Sequence, residues 1–168
     1  KDCATRAKDL GGLLLLHSST GNREGMEELC NLARSLGRTN IAFTALFLLQ
    51  RVNDCVDILV ETGRFPEAAF FARTYAPSRM TEIVRLWRTD LARINESAAE
   101  ALADPVAHAD HVEFSELKFA LMVENKAKKR SRIYSPASNY LRVKEGMQQD
   151  LISLAKEGAL EEQAAPMP

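Results

Sequence analysis

From Asn22 onward, apolar stripes of helical period follow one another with only two to four turn residues between them. Helices joined so tightly cannot continue in one direction, so each must reverse onto the one before it. Between Asn22 and Gly37 the stripe is Met26, Leu29, Cys30, Ala33 and Leu36, with Asn22 placed to cap the start and Gly37 to close the end. The segment "NIAFTALFLLQ", Asn40 to Gln50, is apolar on nearly every side. A helix of that kind needs other helices to cover it, which makes it central. Val52 to Thr62 repeats the amphipathic pattern through Val52, Cys55, Val56, Leu59 and Val60, and Gly63 can take the positive φ that follows a last turn.

The next helix spans Phe65 to Tyr75. Pro66 fits its first turn, where an N–H would have no intrahelical partner, and Glu67 opposes the positive end of the helix dipole. Its alanines at 68, 69 and 72 let neighbouring backbones approach, while Phe65, Phe70, Phe71 and Tyr75 project on more than one side. After Ala76 and Pro77, Ser78 is expected to cap a helix with the stripe Met80, Ile83, Val84, Trp87, Leu91 and Ile94. Arg79, Arg85, Arg88 and Asp90 are expected outside. No segment alternates apolar and polar residues between hairpin signals, so the class is all-α. Helix pairs recur every ~25 to 31 residues, near the short end of helical repeat periods, which predicts an α-solenoid of antiparallel hairpins with irregular, TPR-like repeats. An ordinary helical bundle is the alternative.

Beyond Pro105 the character changes. "DPVAHADH" reads as a connector, "FSELKFALMVENK" as an amphipathic helix, and Asn125 to Lys144 holds seven basic residues and no acidic one. A last helix is expected from about Ser138 to Lys156, and "GALEEQAAPMP" as a fraying tail. Basic and acidic residues number 22 and 23, so no global field exists to hold nucleic acid, and no nucleic-acid partner is expected. Cys3, Cys30 and Cys55 are odd in number and lie among apolar helical neighbours, which fits reduced thiols in cytosol. The longest apolar run is far shorter than a membrane span. The chain opens on Lys1 in what reads as mid-helix, so it is expected to belong to something longer.

No constellation of catalytic type assembles. His17 adjoins Ser18 and Ser19, but neighbouring residues on a helix point in different directions, so a core-edge histidine is expected. His108 and His111, with Asp110 and Glu113, span one turn yet lack a second ligand pair at fixed spacing, and no metal is assigned. Gly11 and Gly12 lack the spacing of a phosphate loop and are expected to mark a tight interhelical turn. No cofactor is expected. The candidate contact residues for a partner or an anionic membrane are Lys126, Lys128, Lys129, Arg130 and Arg132, with a solvated basic face as the plainer reading. Trp87 is expected in the core before it is an interaction anchor.

Five segments carry a family resemblance. "CATRA" (Cys3 to Ala7), "GGLLLL" (Gly11 to Leu16), "TGRFPEAAFFARTYAPS" (Thr62 to Ser78), "LWRTDL" (Leu86 to Leu91) and "AAEALADP" (Ala98 to Pro105) resemble, in that order, the helical region of the beta-prime subunits of coatomer. The resemblance covers the chain up to Pro105, which makes residues 1–105 the end of that solenoid, 106–157 a further helical segment and 158–168 a tail. It implies a non-enzymatic, cytosolic scaffold of the COPI vesicle coat in Golgi-to-ER and intra-Golgi transport, peripheral on Golgi membranes, whose partners are the alpha subunit and other coatomer subunits. In the family, WD-repeat propellers read dilysine cargo signals; these propellers are missing here, so no cargo-signal binding is expected. The functional alternative is a tetratricopeptide-type adaptor gripping an extended peptide in a polar concave groove. A scaffold should instead expose an extended hydrophobic patch.

Overall fold

A computed structural model describes residues 9–105, 108, 115–130, 141, 144 and 149–158. Among them the backbone forms helices and turns with no strand. The chain divides into two compact units, Lys1–Ala76 and Pro77–Pro168. The segment "CATRA", Cys3 and the tail from residue 159 lie outside the described residues.

In the first unit, α1 (Leu10–Thr20) starts at Asp9, whose carboxylate accepts the Gly12 N–H at 2.9 Å. Gly11 and Gly12 therefore form the first turn of α1, against the expectation of an interhelical turn. A Cβ at position 12 would come within 2.4 Å of the Asp9 carboxylate, so glycine leaves room for the cap. Helix α2 (Arg23–Ser35) is capped by Asn22, which accepts the Gly25 N–H at 2.9 Å. Three more helices follow, α3 (Thr39–Leu48), α4 (Val52–Glu61) and α5 (Phe65–Tyr75).

The turns between these helices share one construction. Gly37, Gln50 and Gly63, spaced thirteen residues apart, take φ of 66°, 60° and 71°. The amide of the arginine that follows each one returns to a carbonyl in the last turn: Arg38 to Ala33 at 2.8 Å, Arg51 to Leu46 at 2.9 Å and Arg64 to Leu59 at 2.9 Å. This left-handed cap satisfies carbonyls that a helix end leaves open and sends the chain straight into the next helix. Successive helices consequently pack on one another, and α1 also reaches α3. Leu13, Leu29, Ala33, Ala45, Leu46 and Cys55 belong to one buried cluster.

Helix α3 sits in that cluster as expected, through Ala42, Ala45 and Leu46. Its opposite face stays uncovered within the unit, with Phe47 and Leu48 exposed. Leu36, placed in the α2 stripe by periodicity, is also exposed, because α2 ends at Ser35.

The second unit begins with a 3-10 turn, Pro77–Arg79, followed by α6 (Met80–Ala92), α7 (Glu96–Ala101), α8 (Leu117–Arg130) and α9 (Leu151–Lys156). Ser78 does not cap α6 as expected: the 3-10 turn intervenes and α6 has no side-chain cap. Met80, Ile83 and Val84 are buried and Trp87 is half-buried, whereas Ile94 is 80% exposed because the helix stops at Ala92. Arg88 is not an outside residue either. Its guanidinium donates to the Leu102 carbonyl, holding the "LADP" segment, and its Nε is buried without a hydrogen-bond partner. Asn95 caps α7, a short helix that periodicity missed, by accepting the Ala98 N–H at 3.0 Å. The expected helix from Ser138 to Lys156 is not continuous. Asp150 caps α9 by accepting the amides of Ile152 at 3.1 Å and Ser153 at 3.2 Å, so a new helix starts there, and most of residues 138–148 lie outside the described residues.

Candidate functional site

The uncovered face of α3 meets that of α5 in a run of aromatic rings. Phe43 and Phe47 stand one turn apart on α3, and Phe71 and Tyr75 one turn apart on α5. Phe43 meets Phe71 edge-on with centroids 5.3 Å apart, and Phe47 meets Tyr75 edge-on at 5.3 Å. Phe47 to Phe71, at 6.0 Å, closes the diagonal. Because both pairings advance in the same sense along both helices, α3 and α5 run parallel, as equivalent helices of successive hairpins do. The Arg34–Glu61 ion pair, 2.9 Å, links α2 to α4 in the same way.

These rings contact one another, with Phe43 and Phe71 half-buried against the core and Phe47 and Tyr75 facing solvent. Phe47 is 39% and Tyr75 48% exposed, with Leu48 and Phe70 more so. Edge-to-face aromatic pairs fix ring orientation, giving a rigid apolar surface with little rotamer freedom to lose on association.

Beside the rings a shallow cavity of about 410 Å³ is lined by Asn40, Phe43, Thr44, Leu59, Arg64, Glu67 and Phe71. Its polar groups serve each other. Arg64 Nη1 donates to Asn40 Oδ1 at 2.8 Å, Arg64 Nε donates to Glu67, and the Thr44 hydroxyl donates to the Asn40 carbonyl at 2.9 Å. The hydrogen bond from Arg64 holds the Glu67 carboxyl below the usual carboxylate range and raises Arg64 in turn. Nothing in this groove pairs a nucleophile with a base. Among the described residues no group of three or more His, Cys, Asp or Glu side chains is placed to hold a metal.

Three of the basic residues singled out from the sequence have described side chains, and they differ in their surroundings. Lys126 is half-buried and Lys129 exposed. Lys128 bonds the buried Glu124 carboxylate at 2.6 Å and approaches Ser78 Oγ at 3.3 Å. Arg130 ends α8 and its side chain, like all of Arg132, lies outside the described residues. His108 Nδ1 lies 3.1 Å from the Asp104 carbonyl, while Asp110, His111 and Glu113 lie outside the described residues. His17 is buried, its Nδ1 without a hydrogen-bond partner, against α2 at Gly25. The partly exposed ring stripe was missed as a surface. Its signal was present in two aromatic pairs at helical spacing in equivalent helices, which were read as packing alone.

The COPA/B TPR domain family matches residues 1–88. The chain belongs to this family. Coatomer subunit beta'-1 of Oryza sativa subsp. japonica is 43% identical over 156 residues, 93% of this chain and 17% of that protein. Coatomer subunit beta'-1 of Arabidopsis thaliana is 47% identical over 140 residues, and coatomer subunit beta' of Homo sapiens 42% over 140, each covering 83% of this chain and 15% of the relative. The family resemblance of the sequence is thus to coatomer beta-prime subunits, on an all-α fold of solenoid type. It also reaches well past Pro105, the last residue of the five matching segments, because the 156-residue match cannot fit within the first 105 residues. The chain spans less than a fifth of the length of these relatives. No helix among the described residues is long and apolar enough to cross a membrane.

Proposed function

We propose that this chain is a structural scaffold of the COPI vesicle coat, binding other coatomer subunits, chiefly the alpha subunit, in Golgi-to-ER and intra-Golgi transport. The observation that carries this reading is the aromatic stripe of Phe43, Phe47, Phe71 and Tyr75 across stacked parallel helices, with Phe47 and Tyr75 exposed on it. Such a surface suits assembly through shape and apolar burial, with no catalysis and no cofactor. The chain then reaches Golgi membranes and COPI vesicles peripherally, through the assembled coat. Residues 1–105 form the end of the solenoid in this reading, with 106–157 a further helical segment and 158–168 a tail.

The tetratricopeptide-type adaptor is the alternative, and the groove polarity gives it less support. A peptide-binding groove offers free donors, whereas Arg64 directs its Nη1 and Nε to Asn40 and Glu67. Lys126, Lys129, Arg130 and Arg132 are proposed as contacts to an anionic partner or membrane, with Lys128 engaged in the fold. Co-purification of the folded chain with the alpha-subunit solenoid tests the main reading. A complex at micromolar concentration is expected; its absence sinks the partner assignment. For the basic residues, Lys126→Glu with Lys129→Glu is expected to weaken partner binding or flotation with anionic vesicles. Unchanged behaviour in both assays removes them as contacts.

A further inference from the structure

Glu124 and His17 are the buried polar side chains among the described residues, and Glu124 alone of the two is fully engaged at both ends. Its carboxylate, 7% exposed, is held by one residue in two ways: Oε2 accepts the Ser78 N–H at 2.8 Å and Oε1 accepts the Ser78 hydroxyl at 2.6 Å. Lys128, one turn along α8, donates to Oε1 at 2.6 Å and lies 3.3 Å from Ser78 Oγ. Ser78 itself is exposed, so solvent reaches the residue whose donors fix a buried charge.

This cluster sits where α8 meets the rest of its unit. Helix α8 packs against the 3-10 turn at Pro77–Arg79 and against α9, to which Glu116 is linked by Lys156. Ser78 ties the 3-10 turn to two residues of α8, Glu124 and Lys128, by side-chain hydrogen bonds. A buried carboxylate that loses its donors keeps its desolvation cost and loses its compensation, so the contact should behave as closed or open, with little between.

We propose that Ser78, Glu124 and Lys128 form a charge-operated latch that docks α8 on the 3-10 turn, and that a phosphoryl group on the Ser78 hydroxyl opens it. In the transfer itself, Oγ bonds the γ-phosphorus of a nucleoside triphosphate, the hydroxyl proton passes to the transferring kinase's base, and the nucleoside diphosphate leaves. The product removes the 2.6 Å donor and sets a dianion against the carboxylate it had served. One lysine cannot balance both groups. The uncapped start of α6, two residues away, offers amide dipoles to the phosphate and so favours the open arrangement. The latch does not depend on the coat reading.

Hydrogen exchange followed by mass spectrometry on the full chain tests this, with phosphoserine incorporated at position 78 during translation. Exchange across residues 117–130 is expected to rise by about tenfold or more, the equivalent of losing one charged hydrogen bond, while α1 to α5 in the same molecule keep their protection. Ser78→Thr retains both donors and should match the unmodified chain. Glu124→Gln should loosen α8 without the phosphate, and adding the phosphate to that variant should add less than it does to the unmodified chain. Protection of 117–130 within about twofold of the unmodified chain in the phosphoserine form overturns the latch. So does equal acceleration with and without Glu124, since the phosphate would then be acting elsewhere.

Discussion

Gln50 holds the left-handed backbone that Gly37 and Gly63 hold in the two equivalent turns, with φ of 60°. A side chain in that conformation costs about 1 kcal/mol that glycine avoids. Gln50→Gly should therefore raise stability by roughly 0.5 to 1 kcal/mol despite the greater freedom of the unfolded chain, read as a higher midpoint in urea melts. His17 makes the opposite demand. A Cβ at position 25 would lie 2.3 Å from its ring, which has a buried Nδ1 and little room to turn. Gly25→Ala should cost about 1 to 3 kcal/mol by overpacking, and combining it with His17→Ala should cost less than the two changes added separately. Additive losses would show that the ring and the glycine do not constrain each other. Cys55 is buried with its thiol directed at the Phe43 carbonyl, 3.8 Å away, and burial pushes its pKa up to about 12; burial raises Cys30 as well. Both thiols should react with a disulfide reagent at pH 8 only as fast as the first unit opens.

Helices α2 and α4 were visible in periodicity and α3 in its all-round apolar run, because a stacked helix needs buried contacts and an arginine follows each turn at a fixed interval, whereas α1, with no one-sided stripe, was not. Helix α5 was bounded correctly at Phe65 and Tyr75 because Pro66 starts it and Pro77 follows it. Its Ala68, Ala69 and Ala72 are buried, so Ala69→Asp places an unpaired carboxylate against neighbouring backbone. The expected loss exceeds about 3 kcal/mol, seen as a lower melting midpoint and weaker helical circular dichroism; an unchanged melt would deny the burial. What periodicity could not show was any element fixed by a distant polar partner. Ser78 looked like a cap because Ser before an apolar stripe usually is one, and its partner Glu124 lies 46 residues away. Burial by itself would raise the Glu124 carboxyl, but hydrogen bonds from Lys128 and Ser78 outweigh it and hold the pKa below the usual range. The clamp therefore contributes fully above an unfolded carboxylate pKa of about 4.3, and its contribution is lost as pH falls through the lower folded value. Glu124→Gln should lower stability at pH 7 by about 1 to 3 kcal/mol and flatten the decline between pH 5 and 3, checked by melts across that range.

At the scale of the whole molecule, family membership could be read from short contiguous segments, whereas the surface could not. Segment matches depend on residues adjacent in sequence, while the aromatic face is assembled from Phe43 and Phe47 on one helix and Phe71 and Tyr75 on another. Periodicity assigned those rings to the interior because one face of each helix is indeed interior. Only the parallel stacking of α3 on α5 shows that the second face remains open within the unit. The same geometry separates stability from assembly. Phe47 and Tyr75 are 39% and 48% exposed, so truncating them removes less buried area than truncating Ala-packed core neighbours such as Leu46. Phe47→Ser combined with Tyr75→Ser should lower stability by no more than about 2 kcal/mol, leaving the helical spectrum intact at 25 °C. If the stripe is the coat contact, the same double variant should weaken alpha-subunit co-purification at least tenfold, since paired aromatic anchors dominate interfaces of this kind. Retained binding with a folded variant would move the contact off α3 and α5. Lost binding with retained folding, together with full binding by Lys129→Glu, would place it on the rings and not on the basic segment.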